Sequence, residues 1–310
     1  MVIYRSTSGT AFEEIPEFVE GCWVSLVDPT PEEVEAIHQE LAVPHDFITS
    51  SLDPGEIPRA EKEDGVHLII IRVPLDIGKE ADIPYTTVPL SIVMTDGVVL
   101  TASKVRNPVV EELASGRIRS FDTGKRNRFL LRLLLETGKQ FLRYLSEINR
   151  EVERLEDKLQ MSLRNREVLE LLKYQKSLTH FTTALRADEL VMARLQKGQL
   201  FQMYPEDEDL VEDVLTEIGQ AIQVTDISTG ILSQMMDAFA SIISNNLNVV
   251  LKFLASVTIL LSVPTLIASL YGMNVDLPLD EHPLAFALIL AVSVAISLIV
   301  VVVFWRKDWL

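Results

Sequence analysis

The sequence predicts an α+β membrane protein: an N-terminal cytoplasmic α/β domain, a long helical stalk and two C-terminal transmembrane helices. Three observations carry this. Two uncharged apolar runs of about 23 residues each lie within the last sixty positions. Over residues 1–120, β-branched runs bounded by turn residues alternate with helix signals. Between these regions lie long segments rich in Leu, Arg, Glu and Lys and nearly free of proline and glycine.

Residues 1–120 are expected to form the α/β domain. The apolar stretch that opens at Cys22 and Trp23 reads as a strand, with Cys22 as a buried packing residue. Thr30-Pro31-Glu32-Glu33 reads as a helix start, because Thr can cap, Pro suits the first helical position and acids suit the positive end of the helix dipole. That helix ends before Pro44. The run from His67 to Val73 is strongly β-branched, and the runs 88–94 and 98–102 flank Asp96-Gly97, a strong hairpin signal.

Residues 121–206 are expected to form an antiparallel pair of long helices. Phe141, Leu145, Ile148, Val152, Leu155 and Leu159 recur every three or four residues, which marks the apolar face of the first. The second runs from about Val168 to Gln196. Tyr204-Pro205 and the acids after it read as a turn leading into residues 207–252, the stalk. No helix stop precedes the membrane, and about 65 helical residues would extend roughly 95 Å.

Residues 253–275 and 283–305 are the predicted spans, each long enough for a bilayer core of about 30 Å. Lys252 precedes the first, and Arg306 and Lys307 follow the second. The linker 276–282 has Asp276, Asp280, Glu281 and His282 but no Lys or Arg. Basic flanks favour the inner side, so both termini and the tail 306–310 are expected in the cytoplasm, with the linker outside the plasma membrane. Trp305 and Trp309 stand where interfacial aromatic anchors are expected. The N-terminus lacks the apolar core of a signal peptide, in keeping with cytoplasmic residues 1–245.

With 45 acidic and 28 basic side chains the net charge is −17, which argues against a nucleic-acid partner. It suits attraction of cations, or solubility alone. Cys22 is the only cysteine, so neither an internal disulfide nor a cysteine-based zinc site can form. There is no Gly-rich phosphate loop, nucleophile elbow or paired-His metal motif, and an enzyme is not expected.

The first span carries one periodic feature. Asn248, Leu251, Ala255, Thr258, Ser262, Thr265, Ser269 and Gly272 are spaced alternately by three and four and share one face. All but Leu251 are small or polar. Such a face either packs closely against another membrane helix or, in a symmetric oligomer, lines a pore. At its outer end Gly272 is a helix C-cap candidate.

The sequence Tyr271-Gly272-Met273-Asn274, at the end of the first of two C-terminal spans and ahead of a short acidic loop, resembles the CorA family of magnesium transport proteins. The resemblance extends to residues 244–252, to Pro264-Thr265 and to the ending with Arg306, Lys307, Trp309 and Leu310. It implies a homopentameric funnel in the lipid bilayer that carries Mg²⁺, with Co²⁺ and Ni²⁺ as further ions. Gly272, Met273 and Asn274 would form the selectivity filter, where Asn274 accepts hydrogen bonds from the hydration shell of the ion. Leu251 and Leu254 would form a hydrophobic constriction, while Asp276, Asp280 and Glu281 would concentrate cations at the outer mouth. The family also has regulatory Mg²⁺ sites, to which Asp213 corresponds. The partner position holds Ser50 here, leaving Asp53 or Glu56 as substitutes. The loop 277–279 reads Leu-Pro-Leu in place of the family's Met-Pro-Glu-Leu. The alternatives are a zinc or broad divalent-cation carrier of the same superfamily, and a two-span scaffold that transports nothing.

Overall fold

The computed structural model describes residues 1–7, 11–115, 123–161, 165–196, 204–273, 284–307 and 309. The chain divides into two units, Met1–Gln234 and Met235–Leu310.

Among the described residues, the first unit is built on a seven-stranded sheet. Its strands are β1 (Val2–Thr7), β2 (Ala11–Glu14), β3 (Trp23–Val27), β4 (Arg59–Glu63), β5 (Val66–Asp76), β6 (Tyr85–Met94) and β7 (Val99–Ser103). They lie in the order β2-β1-β3-β7-β6-β5-β4. All neighbours are antiparallel except β3 and β7. The β-branched run expected at 67–73 lies within β5, and the runs expected to flank Asp96-Gly97 correspond to β6 and to β7, the central strand of this sheet. Strand β4 (Arg-Ala-Glu-Lys-Glu) is a charged edge, the composition that discourages edge-to-edge pairing and also hides a strand from a search for apolar runs.

Both faces of the sheet are covered, which is why β5 is almost continuously apolar. On one face Leu68, Ile70, Val24 and Leu26 pack with Val34 and Ile37 of α1 (Pro31–Leu41) and Phe47 and Ile48 of α2 (His45–Thr49). The α1 start is a capping box. Thr30 Oγ1 accepts from Glu33 N (3.3 Å) and Glu33 Oε2 accepts from Thr30 N (3.0 Å). On the other face Trp23, Ile69, Ile71 and Val73 meet α3 (Pro108–Ala114), α4 (Arg126–Met161), α5 (Asn165–Gln196) and the start of α6 (Glu208–Tyr271), through residues such as Phe129, Leu133, Met192, Val214 and Ile218. Cys22 is fully buried.

The six periodic positions expected on α4 are all buried, and Phe141 meets Phe181 of α5 edge to face, with ring centroids 5.0 Å apart. Gly138 lets α6 approach α4: a Cβ there would lie 3.0 Å from Glu217 Cγ. Arg128 of α4 donates to Asp207 (2.7 Å), just ahead of α6.

The second unit holds the remainder of α6 and α7 (Ala285–Arg306), both long and apolar enough to cross a membrane. Pro264 lies inside α6, which continues through it. The helix ends at Tyr271, and the last two residues of the expected span, 274 and 275, lie outside the described residues. Gly272 N donates to Ala268 O (3.0 Å) and a Cβ at this position would come within 3.3 Å of the same oxygen, so a larger residue would crowd the end of the helix.

Candidate functional site

The site begins as a face of α6. At about 100° per residue, Ser256, Leu260, Val263, Pro264 and Ile267 share one side of the helix. Ser256 is buried, and the other four are half-buried. This is the side of α6 that is covered within the second unit. Asn248, Leu251, Leu254, Ala255, Thr258, Ser262, Thr265 and Ser269 lie on the opposite side, and every one of them is exposed. The small and polar residues therefore do not serve to bring α7 close. Their face is open within the chain, and Thr258, Ser262, Thr265 and Ser269 line a shallow groove with exposed Leu261, Leu266 and Leu270.

The hydroxyls on this face have a defined polarity. Thr258 Oγ1 donates to Leu254 O (2.8 Å), Ser262 Oγ to Thr258 O (2.7 Å) and Thr265 Oγ1 to Leu261 O (2.8 Å). Each proton is used within the helix, so toward the outside the oxygen can act only as an acceptor. The helix thus presents a column of acceptors. At its C-terminal end Gly272 and Met273 are exposed. Asn274, Asp276, Asp280 and Glu281, expected in the filter and the outer loop, lie outside the described residues.

The expected regulatory carboxylates sit in the first unit. Asp213 is exposed on α6. Asp53 is exposed and closes a turn by accepting from Gly55 N (2.8 Å). Glu56 is paired with Arg59, whose guanidinium also reaches Ser50 Oγ (3.2 Å) and Glu61 (2.7 Å). A cation supplied by the chain thus sits beside Ser50 and Glu56. Among the described residues, no three His, Cys, Asp or Glu side chains are gathered in a way that could hold a metal ion.

Sequence reasoning missed what holds this loop. Arg72, the lone charge in the β5 apolar run, donates to Pro54 O (3.1 Å), Glu56 O (2.8 Å) and Thr87 O (2.7 Å). Its backbone N–H donates to Asp188 of α5 (2.9 Å). Asp188 is almost wholly buried, and burial holds its carboxyl well above the usual carboxylate range, opposed by that N–H and by the Arg72 charge. An arginine inside an apolar strand is the signal that could have revealed a buried polar partner.

Comparison with known proteins places this geometry in a family. Residues 20–307 match the family model described as CorA-like Mg²⁺ transporter protein. The cobalt/magnesium transport protein CorA of Methanocaldococcus jannaschii is 32% identical over 301 residues, covering 93% of this chain and 91% of that protein. The magnesium transport protein CorA of Helicobacter pylori is 23% identical over 303 residues, covering 93% and 90%. The complete structure of the M. jannaschii CorA superposes with a TM-score of 0.85 at 28% identity, covering 100% of this chain and 98% of that one. The full-length CmaX protein, at 14% identity and a TM-score of 0.71 over 97% of each chain, shares the fold. A match over nearly the whole chain, in sequence and in structure, shows that this protein belongs to the CorA family, a family of membrane transporters and not of enzymes.

Proposed function

We propose that the chain is one subunit of a divalent-cation channel that conducts Mg²⁺, and also Co²⁺, through a pore lined by the polar face of α6 from several copies. The single observation that carries this is the open face from Asn248 to Ser269, turned away from the covered side of α6 and ending at Gly272. A membrane helix has no reason to keep such a face toward lipid, where exposed polar groups are costly. The names of the two CorA relatives support the choice of ions.

The acceptor column suits a hydrated cation. Mg²⁺ sheds water reluctantly and is held by oxygen. Water bound to Mg²⁺ turns its protons outward, so a wall that accepts hydrogen bonds can pass the hydrated ion. Thr258, Ser262 and Thr265 present such a wall because their own protons point back into the helix. Asn274 would complete it as the outer filter with Gly272 and Met273. Exposed Leu251 and Leu254 would form an apolar ring near the inner end, able to close by dewetting. Five copies around the pore, both termini inside and the acidic loop (Asp276, Asp280, Glu281) outside complete the reading. Residues 1–120, 121–206 and 207–252 would serve as the regulatory domain, helix pair and stalk. Asp213, with Asp53 as its partner, would form a control site for Mg²⁺ between copies; equal protease sensitivity of wild type and Asp213→Ala with and without millimolar Mg²⁺ would remove that site from the account.

The test is uptake into liposomes that contain a Mg²⁺-sensitive dye. Wild type should admit Mg²⁺ under a voltage gradient, and Asn274→Ala should lose at least about tenfold of that rate if the filter works through this side chain. No wild-type uptake favours the non-transporting scaffold. Proton-driven Zn²⁺ uptake with little Mg²⁺ entry favours the carrier.

A further inference from the structure

The two tryptophans that follow one another at the end of α7 do not have the same surroundings. Trp305 is 72% exposed. Trp309 is half-buried. After α7 ends, Trp309 N donates to Phe304 O (3.0 Å), a bond that reaches back five residues, and its ring stacks on Phe304 with centroids 5.4 Å apart and an interplanar angle of 13°. Lys307 N donates to Val303 O (3.2 Å) and Phe304 O (3.1 Å). This backward bond and its apolar contact hold Trp309 against the last turn of α7.

That position brings the Trp309 carbonyl to α6. Its oxygen lies 3.5 Å from Ser256 Oγ, and Ser256 is fully buried on a helix whose neighbouring side chains are mostly exposed. The Ser256 proton is committed to Lys252 O (2.8 Å), so the approach of Trp309 is a packing contact. It requires a small side chain at position 256. Ser256 stands about 140° around the helix from Leu251 and about 160° from Leu254, behind the face proposed to line the pore.

We propose that Trp309 is a positioning residue: with Phe304 it clasps the segment after α7 onto Ser256 and braces the inner end of α6 from behind, while Trp305 alone serves as the lipid anchor. The functional half of this rests on the reading that α6 lines a pore; the clasp itself does not.

The experiment uses the full-length chain in liposomes with two single-tryptophan backgrounds. Trp23→Phe with Trp305→Phe leaves Trp309, and Trp23→Phe with Trp309→Phe leaves Trp305. Fluorescence is compared in ordinary lipid and in lipid brominated on the acyl chain near the interface. Trp305 emission should fall at least about two-fold, as expected of an interfacial anchor, and Trp309 emission should change little. Adding Ser256→Leu should expose Trp309 to the quencher, whereas Ser256→Ala should not. Equal quenching of the two tryptophans, or no response to Ser256→Leu, overturns the clasp. In otherwise native chains Trp309→Ala should change the Mg²⁺ uptake rate at least about three-fold, with Trp309→Phe, which keeps the stack, near wild type. Unchanged uptake in Trp309→Ala overturns the positioning role. If wild type shows no uptake while the quenching pattern holds, the pore reading fails and the clasp stands.

Discussion

At the scale of single residues, position decides whether a polar group is tied into the fold or left facing outward. Thr258 makes its bond within its own helix and faces outward, so its hydroxyl adds nothing to packing. Thr258→Val keeps the shape and removes the acceptor; Mg²⁺ uptake should fall several-fold while thermal unfolding of the purified protein stays within about 0.5 kcal/mol of wild type, as for an exposed site. Asp188 is the opposite case. Its carboxyl is raised by burial, so the folded state prefers the neutral form. Its contribution to stability is full below the ordinary carboxylate value and is lost as pH rises through the raised folded value. Asp188→Asn keeps an acceptor for Arg72 N, so its melting temperature should depend less on pH than that of wild type. Asp188→Leu leaves that N–H without its acceptor and should cost about 1–3 kcal/mol at acidic pH. The stripe on α6 could be read from spacing alone, because a helix repeats its faces. The pairing of Arg59 with Glu56 and of Arg72 with the 54–56 carbonyls could not, because it depends on how a loop lies across a sheet.

At the scale of elements, local signals and burial agree wherever the sequence is strongly patterned. The start of α1 was legible because Thr30, Pro31 and the acids at 32 and 33 stand in the order a helix start requires; the return bond of Glu33 came from the structure. Thr30→Ala should lower stability by about 1 kcal/mol in a denaturant titration, the usual worth of such a cap. The α4 stripe was legible for the same reason, and its partner Phe181 follows from packing. Phe141→Ala should destabilise the first unit by about 3–5 kcal/mol, since the ring is fully buried. Strands β1, β2 and β4 were not legible. They are short or charged, and they exist because the apolar centre of the sheet gives them neighbours to pair with. The end of α6 at Tyr271 falls where Gly272 offers a C-cap, its N–H donating back to Ala268 O.

At the scale of the whole molecule, family membership and an open polar face on a membrane helix point to one assembly. One helix cannot enclose a path for an ion, so the account requires copies to meet along α6. Crosslinking in detergent should give a ladder beyond dimer; a ladder that stops at dimer contradicts a pore. The central claim is that one face of α6, and only that face, meets the ion path. It is tested by single cysteines in a Cys22→Ser background, placed at 258, 262, 265 and 269 on the open face and at 260, 263 and 267 on the covered one. A water-soluble charged thiol reagent added to liposomes that contain the Mg²⁺-sensitive dye should block Mg²⁺ uptake at the first four positions and leave the other three unaffected. Block at both sets alike, or at the covered set alone, contradicts the account.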